Sequence, residues 1–278
     1  MSRPTVNKLK TRLIIFGTLA ALLLLVSIFS EFLTPYDPYL QDLSNAKAAP
    51  SLKHLLGTDK FGRDMLSRII IASRTSIFST LLLVGIITAF GTVVGVICGW
   101  FGKVIETILM RVADIFLAFP GLVFALAVAG ILGGGLQNAI IALAVISWPK
   151  YARIARSQTL AQKEAVYLRA AKLSGSSPFK IIFKHILPNI IGPILVTSML
   201  DIGTMMMELA GLSFLGLGAK PPMAEWGSMM SDSRSLITIA PWLTLAPGIA
   251  MLVSVMIFNL LGDAIRDYAD PKNREVIG

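Results

Sequence analysis

Lys150 to Asn189 reads KYARIARSQTLAQKEAVYLRAAKLSGSSPFKIIFKHILPN. In the latter two-thirds of the chain it is the only long segment too polar for the interior of a bilayer, yet its composition is not that of a disordered linker. Lys150, Arg153, Arg156, Lys163, Arg169, Lys172, Lys180 and Lys184 face a single acid, Glu164, so most of the formal net charge of +9 lies here. From about Thr159 to Leu173 the residues are good helix formers, and Gly175 is the residue type that most easily takes the left-handed conformation ending a helix. Ser176-Ser177-Pro178 then reads as an N-cap with proline in the first turn of a second helix, FKIIFKHIL, which is expected to stop at Pro188. Gln162, Arg169 and Lys172 share one face of the first helix, and Ala170 and Ala171 let another backbone come close. The expected shape is a two-helix knuckle with a cationic edge, made for docking.

Outward from this knuckle the chain is apolar. Of 278 residues, 55% are hydrophobic and 15% charged, with mean hydropathy +0.73, which excludes a soluble domain of ordinary make-up. The expected architecture is an all-α integral membrane protein of six transmembrane helices. A cytoplasmic arm (1–12) with Arg3, Lys8, Lys10 and Arg12 precedes a first transmembrane helix (13–33), read as retained and not as a cleaved signal. An extracytoplasmic loop (34–76) follows, then a five-helix core (77–263) that includes the polar loop 150–189, and a cytoplasmic tail (264–278). Within the core the spans are expected at Ile77–Phe101, Ile115–Gly135 with a kink at Pro120, Leu136 to about Ala152, about Ile190–Leu212, and Ile239–Leu261 with Pro241 and Pro247. The second carries Gly91, Gly95 and Gly99, a small-residue edge for close helix approach. Lys150 and Arg153 are expected to snorkel from the fourth.

Two polar motifs test other functions. GTDKFGRD (Gly57–Asp64) has the glycine spacing of a phosphate-binding loop, but Arg63 and Asp64 stand where that motif needs lysine and serine or threonine, and no strand precedes it. Nucleotide binding by this chain is therefore excluded. The sole cysteine, Cys98, cannot form an internal disulfide or a cysteine metal cluster and reads as a buried thiol. His54 and His185 are expected in different compartments, so no metal site is expected either. Orientation follows from charge: with the basic arm inside, four crossings return the chain to the cytoplasm at Lys150, and both strong cationic clusters lie on one side.

The fifth span holds the residues with the clearest bearing on transport. In LDIGTMMMELAG (Leu200–Gly211), Asp201, Met205 and Glu208 fall at i, i+4 and i+7 and so share a helical face. A carboxylate in hydrocarbon costs about 2.5 kcal/mol or more, so such groups face a bundle interior or an aqueous cavity. Two readings remain open: this face lines a translocation pathway favouring a cationic or amine-bearing solute, or both carboxylates are partners between helices.

The run AAKLSGSSPFKIIFKHILP (Ala170–Pro188) resembles the cytoplasmic "EAA" loop of ATP-binding cassette (ABC) import permeases, with Ala170, Ala171, Gly175, Leu187 and Pro188 at the required spacing. Arg169 at the glutamate position and His185 at the first isoleucine position are similar to the variant of the peptide and nickel import subclass. LGTDKFGRDMLSRIIIASRTS, LSFLGLG with PPMAEWG, and GDAIRDYADP resemble that subclass too, making the resemblance nearly full length. LDIGTMM looks closer to its nickel branch.

The resemblance implies a type I ABC importer permease fold, with Arg169, Ala170, Ala171, Gly175, His185, Leu187 and Pro188 in a coupling helix that lies in a groove of a separate ATPase. It implies a second related permease, two cytoplasmic ATP-binding subunits carrying ATP and magnesium, and an extracytoplasmic solute-binding protein. It also implies placement in a bacterial cytoplasmic membrane with both termini inside. No cofactor, nucleic acid or catalytic residue is expected of this chain. The solute read from the resemblance is nickel, carried as a chelate, with dipeptide or oligopeptide as the alternative. A secondary transporter would not need the knuckle, and a membrane scaffold would need neither Asp201 nor Glu208 inside a span.

Overall fold

The computed structural model describes residues 6–269, and the regular elements among them are helices. In chain order these are α1 (Val6–Ile28), α2 (Met65–Phe101), α3 (Lys103–Leu117), α4 (Gly121–Ile131), α5 (Leu136–Lys163), α6 (Val166–Leu173), α7 (Pro178–Phe214), α8 (Trp226–Ser233) and α9 (Trp242–Ala269), with single turns between some of them. Four are long and apolar enough to cross a membrane, namely most of α1, α2, α7 and α9, and the pair α3–α4 makes a fifth if counted as one broken span. The expected count of six is not reached on length and composition, because the second half of α5 carries Lys150, Arg153, Arg156 and Lys163. The first five residues of the arm, and the tail from Asp270 with its Asp-Pro, lie outside the described residues.

Several boundaries differ from the sequence expectation for local reasons. The polar stretch 34–76 is not loop throughout: α2 starts at Met65, where Asp64 caps it by accepting from the Ser67 N–H at 2.8 Å. Residues 102–114, which fall between the second and third expected spans, are mostly helix α3, and at Ala118–Pro120 the chain turns through 93° into α4. Proline lacks the N–H that would continue α3, so the expected kink becomes a corner. The fourth span does not end near Ala152 but continues as α5 to Lys163. Pro241 precedes α9, and the expected cytoplasmic tail begins as helix, to Ala269.

The second knuckle helix does not stop at Pro188. A wide π turn at Ile182–Ile186 changes the hydrogen-bond register, and Pro188 falls at the start of the following α-helical stretch, where its missing donor is harmless. Knuckle and span are thus one continuous helix, α7.

The core forms where α2 and α5 meet along the glycine edge. A Cβ on Gly91 would lie 2.6 Å from the Trp148 carbonyl oxygen, on Gly95 2.3 Å from that of Ala152, and on Gly99 2.7 Å from the Thr159 Cβ. Only glycine admits this approach, and it fixes which face of α5 turns toward α7. On the far side of α7, Gly203 leaves room for Asn259 and Gly262 of α9 for Leu200. The rotation of α7 is thereby set from two sides.

The GTDKFGRD segment is a tight knot. Gly57 (φ +72°) and Gly62 (φ +76°) take left-handed conformations, and a Cβ on Gly62 would collide with the Asp42 carbonyl. Asp59 accepts from the N–H groups of Phe61 and Arg63 at 2.8 and 3.0 Å and from the Arg63 Nε at 2.6 Å. Its acids are engaged by nearby N–H groups and side chains, and Lys60 reaches Asp232 of α8 at 3.3 Å.

Candidate functional site

The glycine seam delivers Lys150 and Tyr151 to α7. The Lys150 Nζ donates to both carboxylate oxygens of Asp201, at 2.6 and 2.8 Å, and the Tyr151 hydroxyl donates to Oδ2 at 2.9 Å. Asp201 and Tyr151 are buried, whereas the Lys150 side chain is about half exposed (52%). Lys150 therefore does not snorkel away from the protein; it turns onto an acid 51 residues further along the chain. Such a buried carboxylate is tolerable because a cation and a hydroxyl satisfy it. Arg153 likewise turns onto Asp114 of α3 at 2.6 Å, and Arg156 pairs with Glu106.

Beside this group lies a cavity of about 240 Å³, lined by Asp201, Met205 and Glu208 of α7, by Ser147, Lys150 and Tyr151 of α5, and by Phe116, Phe119 and Gly121 at the α3–α4 corner. The three residues that share a helical face in the sequence thus border one space. They are not equivalent. Asp201 is fully engaged, Met205 is buried against the wall, and Glu208 is half-buried with no hydrogen-bond or ion-pair partner among the described residues. Sequence reasoning missed Lys150 and Tyr151 as members of this site by assigning them to the polar loop; a lysine and a tyrosine directly after Pro149, inside a hydrophobic helix, were the available signal. The aromatic corner carried no such signal. Among the described residues no cluster of His, Cys, Asp and Glu could hold a metal ion.

The knuckle is built as a second feature at the end of α5. Gly175 has φ +74°, and the Ser176 N–H reaches the Ala171 carbonyl at 3.1 Å, the six-to-one bond of a Schellman end. Ser177 caps the next turn, with Pro178 in its first position. Leu168, Ile181 and Ile186 are buried beneath and anchor the knuckle. Val166 (82% exposed), Leu173 (90%), Phe179 (73%) and Phe183 (65%) project from it.

Part of the segment's charge is paired within the chain. Arg169 bonds Glu164 at 2.8 Å, and Lys163 caps α2 through the Trp100 carbonyl at 2.7 Å. Lys150, Arg153 and Arg156 of α5 are also engaged, while Arg169, Lys180 and Lys184 are exposed on the knuckle beside its apolar side chains. Ala170 and Pro188 are exposed, Ala171 and Leu187 half-buried, and the His185 ring lies 6.1 Å from that of Tyr167.

A helical membrane bundle with a broken helix, a charged cavity between helices and an anchored knuckle defines a transporter's membrane component. Its fold is that of type I ABC importer permeases: the solved structure of the MetNI methionine ABC transporter in an inward-facing conformation superposes with TM-score 0.57 over 74% of this chain and 98% of the other, at 18% identity. Residues 91–275 match the family of binding-protein-dependent transport system inner membrane components, and the chain belongs to that family.

Three curated relatives lie within a narrow range of identity. The dipeptide transport system permease protein DppC of Alkalihalophilus pseudofirmus is 43% identical over 90% of this chain and 82% of its own length. The nickel transport system permease protein NikC of Escherichia coli is 41% identical over 90% and 91%. The glutathione transport system permease protein GsiD of Pectobacterium atrosepticum is 39% identical over 92% and 85%. The chain is therefore an integral membrane permease of the peptide and nickel import subclass and a transport component, not an enzyme. The spread of these names does not single out nickel.

Proposed function

We propose that this chain forms one half of a two-permease pore, with a related permease as its partner. Two cytoplasmic ATP-binding subunits, which carry the ATP and magnesium, dock on the knuckle, and a solute-binding protein delivers from outside. Both termini lie in the cytoplasm. The observation that carries this reading is the continuity of α7, one helix from the exposed Phe179 to the cavity-lining Asp201, Met205 and Glu208. A displacement of the knuckle by ATP-driven closure then moves the cavity wall directly, and because coupling is reciprocal, solute delivery stimulates ATP hydrolysis. Arg169 to Pro188 is the coupling segment. Asp201, Met205 and Glu208 border the pathway.

The solute is a short peptide with a free ammonium group, which suits a cavity bearing an unpaired carboxylate and no ligand set for a bare metal ion. A nickel chelate is the second reading, favoured by the LDIGTMM phrase at Leu200–Met206. Uptake of a labelled dipeptide and of radioactive nickel, measured in parallel with this chain deleted and then restored as wild type or Gly175→Pro, tests both. Restoration of one uptake by wild type alone identifies the solute and supports coupling through the knuckle; equal restoration by both forms removes the coupling role.

A further inference from the structure

We infer that Glu208, with the rings of Phe116 and Phe119, forms a site for a single cationic group, an ammonium above all, and that Asp201 takes no part in reading charge there. The sequence offers two carboxylates on one face as equals. The structure separates them. Asp201 holds two contacts to Lys150 and one to Tyr151, so it is a neutralised unit whose job is to position α5 against α7. Glu208 sits seven residues on, about 10 Å along the helix axis at 1.5 Å per residue. The cavity lining therefore contains one cation already engaged and two carboxylates, and the excess negative charge is located on Glu208.

Part of the lining is aromatic. Phe116 and Phe119 line the same cavity, and Phe124 braces both, with ring centroids 5.8 and 5.5 Å away. A carboxylate and aromatic rings that line one partly desolvated space suit an ammonium, which pairs with the acid and is attracted to ring faces. An anionic solute group meets no unpaired cation in this lining, since Lys150 is committed to Asp201, and finds only the hydroxyls of Ser147 and Thr204 as neutral donors. The functional consequence, that the site selects solutes during passage, rests on the cavity belonging to the pathway proposed above.

Thr204 is exposed, lines the cavity and lies one turn before Glu208 on the same face, so a cysteine there reports the local potential. In the assembled complex, with the buried Cys98 replaced by alanine, Thr204→Cys is treated with methanethiosulfonates bearing either trimethylammonium or sulfonate. After normalisation to a small thiol in solution, the cationic reagent reacts about tenfold faster, as expected for one unscreened charge nearby. Glu208→Gln abolishes the preference. The double variant Lys150→Met/Asp201→Met, which removes a neutral pair, keeps it.

No preference in the parent, or a preference that survives Glu208→Gln or is lost in the double variant, overturns the inference. Assembly of each variant is checked by co-purification, so that misfolding is not read as loss of charge. Uptake of a labelled dipeptide is measured alongside: a preference that depends on Glu208 with uptake unchanged in Glu208→Gln supports the cation site and removes the cavity from the pathway.

Discussion

Gly95 of α2 lies so close to Ala152 of α5 that a Cβ on it would stand 2.3 Å from the Ala152 carbonyl oxygen. That contact sits one residue from Tyr151 and two from Lys150, so the seam is also what brings the partners of Asp201 into place. Gly95→Val is expected to force α2 and α5 apart at a cost of about 1–3 kcal/mol, as for overpacked cores. Gly85 faces nothing within 4 Å, and Gly85→Ala is expected to be nearly neutral. Thermal melting of the purified complex distinguishes them: a lower midpoint for Gly95→Val alone is the expected result, and equal melting contradicts it.

The Lys150–Asp201 pair predicts an asymmetric mutant cycle. Lys150→Met leaves the buried Asp201 carboxylate with only the Tyr151 hydroxyl. The half exposure of Lys150 lets water soften the loss, so about 2 kcal/mol is expected, below the range for fully buried pairs. Lys150→Met/Asp201→Met removes the stranded charge and is expected to be more stable than Lys150→Met. Denaturant titration in detergent measures both; a double variant no better than the single one means that Asp201 is not charged in the folded protein.

Glu225, ahead of α8, predicts a pH dependence. It is buried, and burial holds its carboxyl above the usual carboxylate range, although the N–H groups of Gly227 and Ser228 donate to it at 2.9 and 2.8 Å and pull the other way. The folded chain thus binds this proton more tightly than the unfolded chain. The resulting stabilisation is fully present below the ordinary glutamate value of about 4.3 and is lost as pH rises through the raised folded value. Glu225→Gln keeps an acceptor for the helix cap and is expected to flatten this component. Melting midpoints across the acidic range for both forms check it, and parallel curves exclude Glu225 as the source.

The apolar knobs of the knuckle predict a binding defect without a folding defect. Leu173 and Phe179 are exposed (90% and 73%), so truncating them to alanine is expected to leave the melting temperature unchanged. If these side chains seat in an ATPase groove, Leu173→Ala/Phe179→Ala weakens co-purification of the ATPase by about tenfold or more, as for residues anchoring an interface. Lys180→Ala, an exposed charge on the same turn, is expected to change it much less. Pull-down at two salt concentrations separates the outcomes: an equal loss from Lys180→Ala that varies with salt would mean that charge, not apolar contact, holds the partner.

The sequence by itself determined whatever depends on neighbours within one or two turns. Apolar runs longer than any soluble core segment required a membrane. The fourfold spacing of Gly91, Gly95 and Gly99 marked the seam. Gly175 and Ser177-Pro178 marked the knuckle's corner, because a left-handed residue and a side-chain cap act on adjacent peptides. The shared face of Asp201, Met205 and Glu208 followed from helical geometry alone.

What only the tertiary structure decided is how those faces meet. That Lys150 neutralises Asp201 while Glu208 stands free depends on the rotation of two helices whose residues are 51 apart in the chain, and that rotation is set by close contacts at Gly95 and Gly203. Pro120 announces a break, but not its 93° angle. Part of the cationic segment's charge is taken up by Asp114, Glu106 and the Trp100 carbonyl, partners that only the fold supplies. Such pairings join residues far apart in the chain, and a few ångströms decide which charge is satisfied and which is left to act.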